Sequence, residues 1–173
     1  MRLRFLLLPA AVIAASPVQA ENYLTLEQAK NILFPGATFT PAFLKLSDSE
    51  REMIVDNAQV TVWNREVKAW RVSTGGWFFI DQVLGRDDWV SYAIALDAKG
   101  VVKGIEILEC LDRWNQITLP EWRKQFAGKR YGKMDTAGIA TISGTTLSAE
   151  HIAEGVKRIL TTYALIIAQP AAQ

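Results

Sequence analysis

Hydrophobic residues near the C-terminus of the chain recur at the spacing of an α-helix. Steps of four, three, one, three and four residues place them on one helix face: Ile152, Val156, Ile159, Leu160, Tyr163 and Ile167. Polar residues fall largely outside this stripe: Glu154, Lys157, Arg158 and Thr161. Ser148 precedes the stripe in the N-cap position, and Glu150 follows in the first turn. The pattern therefore predicts a C-terminal helix capped by Ser148.

Two further helices are predicted nearer the N-terminus. Thr25 can cap a helix over residues 26–33, because apolar residues recur there at helical spacing and Pro35–Gly36 would end it. Asp48 or Ser49 is the predicted cap of a short second helix.

The middle of the chain has the pattern of a sheet. Residues 59–70 alternate partly between apolar and polar side chains, which indicates a strand, a turn and a second strand. Three later β-rich segments each follow a turn rich in glycine or aspartate: Trp77–Ile80, Trp89–Leu96 and Val101–Leu108. The first two of these form a predicted hairpin. We therefore predict one α+β domain over residues 21–173, with a twisted antiparallel sheet and packed helices.

The N-terminus has the three parts of a secretory signal peptide. Arg2 and Arg4 precede an apolar run, Phe5–Ala15, and Val18–Ala20 forms a small-x-small cleavage site. We predict that residues 1–20 are removed and that the protein is exported to the periplasm. The alternative is an uncleaved anchor, but the apolar run is shorter than the roughly 20 residues that span a bilayer. We expect no stable membrane insertion.

Composition excludes several classes of function. The chain has 19 basic and 18 acidic residues, and loss of Arg2 and Arg4 changes the formal charge from +1 to about −1, so nucleic acid is not an expected partner. A single cysteine, Cys110, and a single histidine, His151, exclude an internal disulfide, a Cys/His zinc site and a c-type haem. We expect Cys110 to be a small buried side chain and not a nucleophile.

The segment before the last helix has the residues of an anion site. Ser143–Leu147 brings a glycine and three hydroxyl groups to the end of a helix where backbone N–H groups can hold a phosphate. The alternative from these residues alone is simple helix capping, because serine and threonine are common before any helix.

This segment and several others resemble the FMN-binding domain family, in which Ser-Gly-Ala-Thr opens a helix. The similarity continues through blocks in the same order over most of the chain: Tyr23–Ala29, Leu33–Ala37, Tyr92–Ile94, Gly100–Gly104, Trp122–Lys129 and Glu154–Leu160. The family includes subunits of sodium-pumping NADH:quinone reductases, Rnf-type complexes and periplasmic regulators of nitrous oxide reduction. The resemblance implies a flavin-carrying fold.

The resemblance also implies how the flavin is held. The last threonine of the family motif, Thr146 here, is joined to FMN through a phosphoester by an FAD:protein FMN transferase. Two positions differ from the family pattern: Ala140 stands where the family has an aspartate, and Thr145 replaces the alanine of the motif. The alternative is noncovalent FMN at the same helix end. Six residues are the expected cofactor contacts: Ser143, Gly144, Thr145, Thr146, Leu147 and Ser148.

A wall for the flavin ring is expected in the segment Asp112–Ile117. There Trp114 can stack on the ring, and Asp112 and Ile117 are further candidate contacts, with packing of Trp114 on the sheet as the alternative. Trp77 is a second candidate wall. The other tryptophans are expected in the core: Trp63, Trp70, Trp89 and Trp122. His151 is expected in the first turn of the last helix, as a helix-surface side chain, with contact to the phosphate as the alternative.

The residues and the resemblance together predict an exported flavoprotein that passes electrons between a redox donor and an acceptor, neither of which the sequence identifies. No catalytic residue is assigned. Two alternatives remain: a flavin reductase that uses bound FMN, and a regulatory or binding module that has lost the flavin.

Overall fold

An antiparallel sheet lies at the centre of the computed structural model, which describes residues 21–110 and 116–169. The strand order is β1-β7-β6-β5-β4-β2, and β3 also pairs with β4. The strands described are β1 (Glu21–Asn22), β2 (Phe39–Pro41), β3 (Leu44–Lys45), β4 (Glu66–Val72), β5 (Trp77–Leu84), β6 (Trp89–Leu96) and β7 (Val102–Cys110). The predicted signal peptide, residues 1–20, lies outside the described residues.

Helices pack on both faces of this sheet. They are α1 (Leu26–Leu33), α2 (Asp48–Ala58), α3 (Pro120–Arg123) and α4 (Thr146–Thr162); 3₁₀ turns flank α3 at Gln116–Thr118 and Lys124–Phe126, and a π-helical turn, Tyr163–Ile167, follows α4. The single α+β domain with an antiparallel sheet is therefore confirmed. Within residues 21–110 and 116–169, no helix combines the length and the apolar character needed to cross a membrane.

The two sheet faces carry separate hydrophobic cores because successive strand residues point to opposite sides. Phe79 and its neighbours pack with Ile152 and Val156 of α4, whereas Phe78 packs with Ala29 of α1. Both phenylalanines are fully buried. The longest helix thus covers one face of β5 and β6, and its N-terminus lies beside the turn that joins these two strands.

Capping explains where the first two helices begin. The side chain of Thr25 accepts from the N–H of Gln28, and the Gln28 side chain accepts from the N–H of Thr25, which forms a capping box. The predicted bounds of α1 are confirmed. For α2 the cap is Ser47, not the predicted Asp48 or Ser49, and Glu50 completes the box.

Three predictions about elements and burial are wrong. Residues 59–70 hold one strand, β4, after an irregular stretch, because their alternation extends only over the paired part. Trp63 and Trp89 are exposed by 71% and 45%, so they are not core residues. Trp70 and Trp122 are buried as expected, and Cys110 is buried too. The helical turns over residues 116–126 were not predicted from the sequence.

Candidate functional site

The N-terminus of α4 is preceded by a tight turn. The N–H of Thr145 donates to the carbonyl oxygen of Ile142 at 2.9 Å, and Gly144 has a φ of 93°, which favours glycine at this position. Thr145 is the N-cap residue and Thr146 is the first helical residue. The prediction that Ser148 caps the helix is therefore wrong, because α4 begins before it and Glu150 lies beyond the first turn.

The hydroxyl groups of this segment have different surroundings. Thr145 is 1% exposed, and its hydroxyl donates to the Ile142 carbonyl oxygen at 3.3 Å. Ser148 is fully buried, and its oxygen accepts from the backbone N–H of Arg86 at 3.2 Å. Ser143 and Thr146 are exposed. Thr146 is therefore open to solvent, whereas the hydrogen bonds of Thr145 and Ser148 hold the backbone in place.

Backbone donors at this helix end are available to an anion. Thr145 makes no side-chain capping hydrogen bond to the first turn of α4. The first amides of a helix have no acceptor within the helix and carry the positive end of its dipole. The side chain of Leu147 beside Thr146 is about half exposed and offers apolar surface at the same point. This end of α4 thus combines an exposed threonine, backbone donors and an apolar contact.

The turn between β5 and β6 is fixed to the same helix end. The ring Nδ1 of His151 lies 2.5 Å from the carbonyl oxygen of Leu84. A carbonyl oxygen can only accept, so Nδ1 carries the proton and donates it. His151 lies in the second turn of α4, not the first, and together with the Arg86–Ser148 bond it anchors the turn to the helix.

A second segment supports the turn before α4 from the other side. The indole N–H of Trp122 donates to the carbonyl oxygen of Ala140 at 2.8 Å, and the N–H of Ala140 donates to Gln125 Oε1 at 2.8 Å. Arg123 forms an ion pair with Glu106 of β7 and so ties this segment to the sheet. Ala140, where the resemblance implies an aspartate, is therefore held through its backbone.

The predicted ring contacts lie mainly beyond what the structure describes. Asp112 and Trp114 fall outside the described residues. Ile117 is fully buried in the same core as α4, so it has no surface to offer a ring. Trp77 stacks on Phe79 with ring centroids 6.1 Å apart and also contacts Tyr163. Among the described residues, Gln116 Oε1 is a buried side-chain acceptor with no hydrogen-bond partner.

A buried charged network beneath α4 was not predicted. Arg158 forms an ion pair with Asp81 of β5 and donates to the carbonyl oxygen of Thr61 at 2.9 Å. The hydroxyl of Tyr92 donates to the same Asp81 oxygen at 2.8 Å. The alternation of side chains along β5 could have indicated this network, since Asp81 lies on the same sheet face as Phe79 and Val83, which are both buried.

The network raises the pKa of two of its members, Tyr92 and Arg158. Burial, with the nearby charge of Asp81, raises the pKa of Tyr92 well above its ordinary value. Burial opposes the charge on Arg158, but the attraction of Asp81, Tyr92 and Glu154, together with the hydrogen bond to Asp81, outweighs burial, so the pKa of Arg158 is raised. Tyr92 therefore stays protonated and Arg158 stays charged across the ordinary pH range.

No protein-family model matches the chain, and no curated protein matches it either.

Proposed function

We propose that the protein is an exported flavoprotein that carries FMN at the N-terminus of α4 and passes electrons between a donor and an acceptor. The observation that carries the proposal is the contrast between two neighbouring threonines. Thr146 is an exposed residue at the first helical position, whereas Thr145 is 1% exposed and its hydroxyl donates to the carbonyl oxygen of Ile142. Thr146 is therefore our proposed attachment point.

The local electrostatics support a phosphate at this position. A phosphate ester on Thr146 would lie beside the first amides of a 17-residue helix, and a helix dipole favours negative charge there. The amides of Thr146 and Leu147 receive no capping acceptor from Thr145. The donor set thus fits the phosphate end of FMN.

Attachment of FMN to Thr146 would be a single substitution at the FMN phosphorus of FAD. The Thr146 oxygen would form the new P–O bond as AMP leaves the FAD donor, and the hydroxyl proton would pass to a base of the FAD:protein FMN transferase. A covalent bond suits an exported protein, because a dissociated cofactor would be diluted outside the cell membrane. Ala140 differs from the family pattern at this point, so noncovalent FMN is the alternative.

The flavin would supply reversible uptake of electrons, and the protein would hold it and adjust its surroundings. Leu147 offers an apolar contact beside the attachment point. Because Thr146 and Leu147 lie at the surface, a redox partner can approach this helix end.

Absorption of the purified protein tests the proposal. Produced with the transferase, wild-type protein is expected to show flavin absorption that stays with the polypeptide after denaturation. Thr146→Ala should lose that retained absorption. Flavin that separates on denaturation would indicate noncovalent FMN, and colourless wild-type protein would contradict the proposal and favour a flavin-free binding module. Steady oxidation of a reduced dinucleotide by the purified protein would instead indicate a flavin reductase.

A further inference from the structure

A cavity of about 160 Å³ opens at the point where the pairing of strand β4 with β5 ends. Strand β5 continues beyond β4: the last pair in the ladder joins Lys68 to Ile80, and Asp81 and Gln82 extend past it. The cavity lies at this step, with the segment before β4 along one side. Arg158, in its lining, lies twelve positions after Thr146 on α4, about 18 Å along a helix that rises roughly 1.5 Å per residue.

Two exposed tryptophans border this cavity. Trp63, in the segment before β4, is 71% exposed, and Trp89, at the start of β6, is 45% exposed. Leaving such large apolar side chains in water forgoes hydrophobic stabilisation, so their presence at one cavity is not explained by folding. Exposed aromatic side chains around a concave site are typical of ligand binding.

The polar lining combines donors and acceptors and has no net charge. Arg158, which is nine-tenths buried, is paired with Asp81, and the remaining ionised groups are Lys68 and Glu66. Two acidic and two basic residues favour neither an anion nor a cation. The amide side chains of Asn64 and Gln82 add both donors and acceptors. A neutral ligand with several hydroxyl groups satisfies such a lining best.

The size of the cavity is compatible with a single ring. A protein cavity of about 150 Å³ can accept benzene, so this one accommodates a six-membered ring. A hexopyranose has that ring size, an apolar C–H face that can pack on an indole, and hydroxyl groups around its edge. We propose that this cavity binds one neutral hexopyranose unit of a saccharide, packed against Trp63 and Trp89.

Titration of the full mature chain with methyl glycosides of glucose, galactose and mannose tests this proposal. The indole N–H signals of Trp63 and Trp89 should shift saturably in NMR spectra with at least one glycoside. Trp63→Ala should weaken that binding at least tenfold, a change of about 1.4 kcal/mol. Phe43→Ala is the matched control, since Phe43 is also an exposed aromatic residue but does not line this cavity.

Three results would overturn the proposal. One is the absence of a saturable shift at Trp63 or Trp89 with every glycoside. Another is a response to benzoate or to inorganic phosphate but to none of the glycosides, which would indicate an aromatic or anionic ligand. A third is an equal loss of glycoside affinity in Phe43→Ala and Trp63→Ala. Circular dichroism verifies that both variants are folded.

Discussion

Asp81 of β5 and Arg158 of α4, 77 residues apart in the chain, meet in an ion pair on the face of the sheet that α4 covers. Both side chains are largely buried, at 18% and 11% exposed respectively. A buried charge is tolerated when a partner and further hydrogen bonds replace the water it has lost. Here Tyr92 and the Thr61 carbonyl group supply those bonds, so the network fixes α4 against β5 and the segment before β4.

Asp81→Ala should destabilise the protein strongly, because it leaves Arg158 charged and buried without its partner. We expect the free energy of unfolding to fall by about 3–5 kcal/mol in urea titrations. Asp48→Ala is the matched control, since Asp48 pairs with Arg65 but is 78% exposed, and it should cost about 1 kcal/mol or less.

The double variant Asp81→Leu/Arg158→Met separates two contributions to the free energy of unfolding. One is the cost of leaving Arg158 unpaired, and the other is the net contribution of the ion pair. Replacing both charges with apolar groups should restore part of the stability that Asp81→Ala removes, because Arg158 is no longer a buried unpaired charge but the Tyr92 hydroxyl still lacks its acceptor. An Asp81→Ala variant no less stable than Asp48→Ala would contradict the buried network.

Tyr92→Phe should cost about 1.5–3 kcal/mol near neutral pH, the usual range for a lost hydrogen bond to a charged group. The cost should depend on pH. The raised pKa of Tyr92 means that the folded protein keeps a proton that the unfolded chain loses. The resulting stabilisation is fully present below about pH 10, the ordinary tyrosine pKa, and falls as pH rises toward the folded value.

The difference in unfolding free energy between wild type and Tyr92→Phe should therefore narrow above about pH 10. Urea titrations of both proteins over alkaline pH measure it. A difference that widens with pH would show that the pKa of Tyr92 is not raised.

Gly155→Ala tests the close contact between α4 and β6. A Cβ at Gly155 would lie 2.4 Å from the Tyr92 hydroxyl oxygen and 3.0 Å from Val83 Cγ1. Alanine gains about 1 kcal/mol in helix propensity, but overpacking costs about 1–3 kcal/mol, so we expect net destabilisation in thermal unfolding. In the Tyr92→Phe background the same change should cost less, because the nearest atom is gone. If the stability costs of Gly155→Ala and Tyr92→Phe are additive, the close contact between Gly155 and the Tyr92 hydroxyl is contradicted.

Ser47→Ala should remove about 1 kcal/mol of stability by breaking the capping box of α2. Hydrogen bonds from the Ser47 backbone N–H and hydroxyl lower the pKa of Glu50. That stabilisation is present above about pH 4.3, the ordinary glutamate pKa, and is lost as pH falls through the lower folded value. The cost of Ser47→Ala should therefore shrink in acid. Glu52→Ala, a change at an exposed position of the same helix, is the control and should change stability by less than about 0.5 kcal/mol.

Local signals in the sequence were sufficient to predict those elements whose capping or turn residues and hydrophobic periodicity indicate the same bounds. The Thr25 cap and Pro35–Gly36 stop predicted α1, and two turn-bounded apolar segments predicted the β5–β6 hairpin. The start of α4 was misplaced because Ser148 is a good capping residue by type. Its hydroxyl oxygen instead accepts a hydrogen bond from the backbone N–H of Arg86, 62 positions earlier in the chain. No local sequence pattern can indicate such a bond.

Burial was harder to predict where the packing partner is distant in sequence. Arg158 was expected outside the apolar stripe of α4, yet Asp81 and Tyr92 make a buried position suitable for its charge. Trp63 and Trp89 were expected in the core because tryptophan is usually buried. Their exposure depends on where β4 stops pairing with β5, which is a property of the sheet and not of either segment alone.

The mass of one peptide tests the proposed flavin attachment most directly. Trypsin is expected to release residues 134–157 of protein produced in a host that carries the transferase, since Lys133 and Lys157 bound this segment. This peptide should carry the added mass of FMN less water, fragmentation should assign that mass to Thr146, and the Thr145→Val variant should retain it. The bare peptide mass in wild-type protein, or FMN on any other residue, would contradict attachment at Thr146.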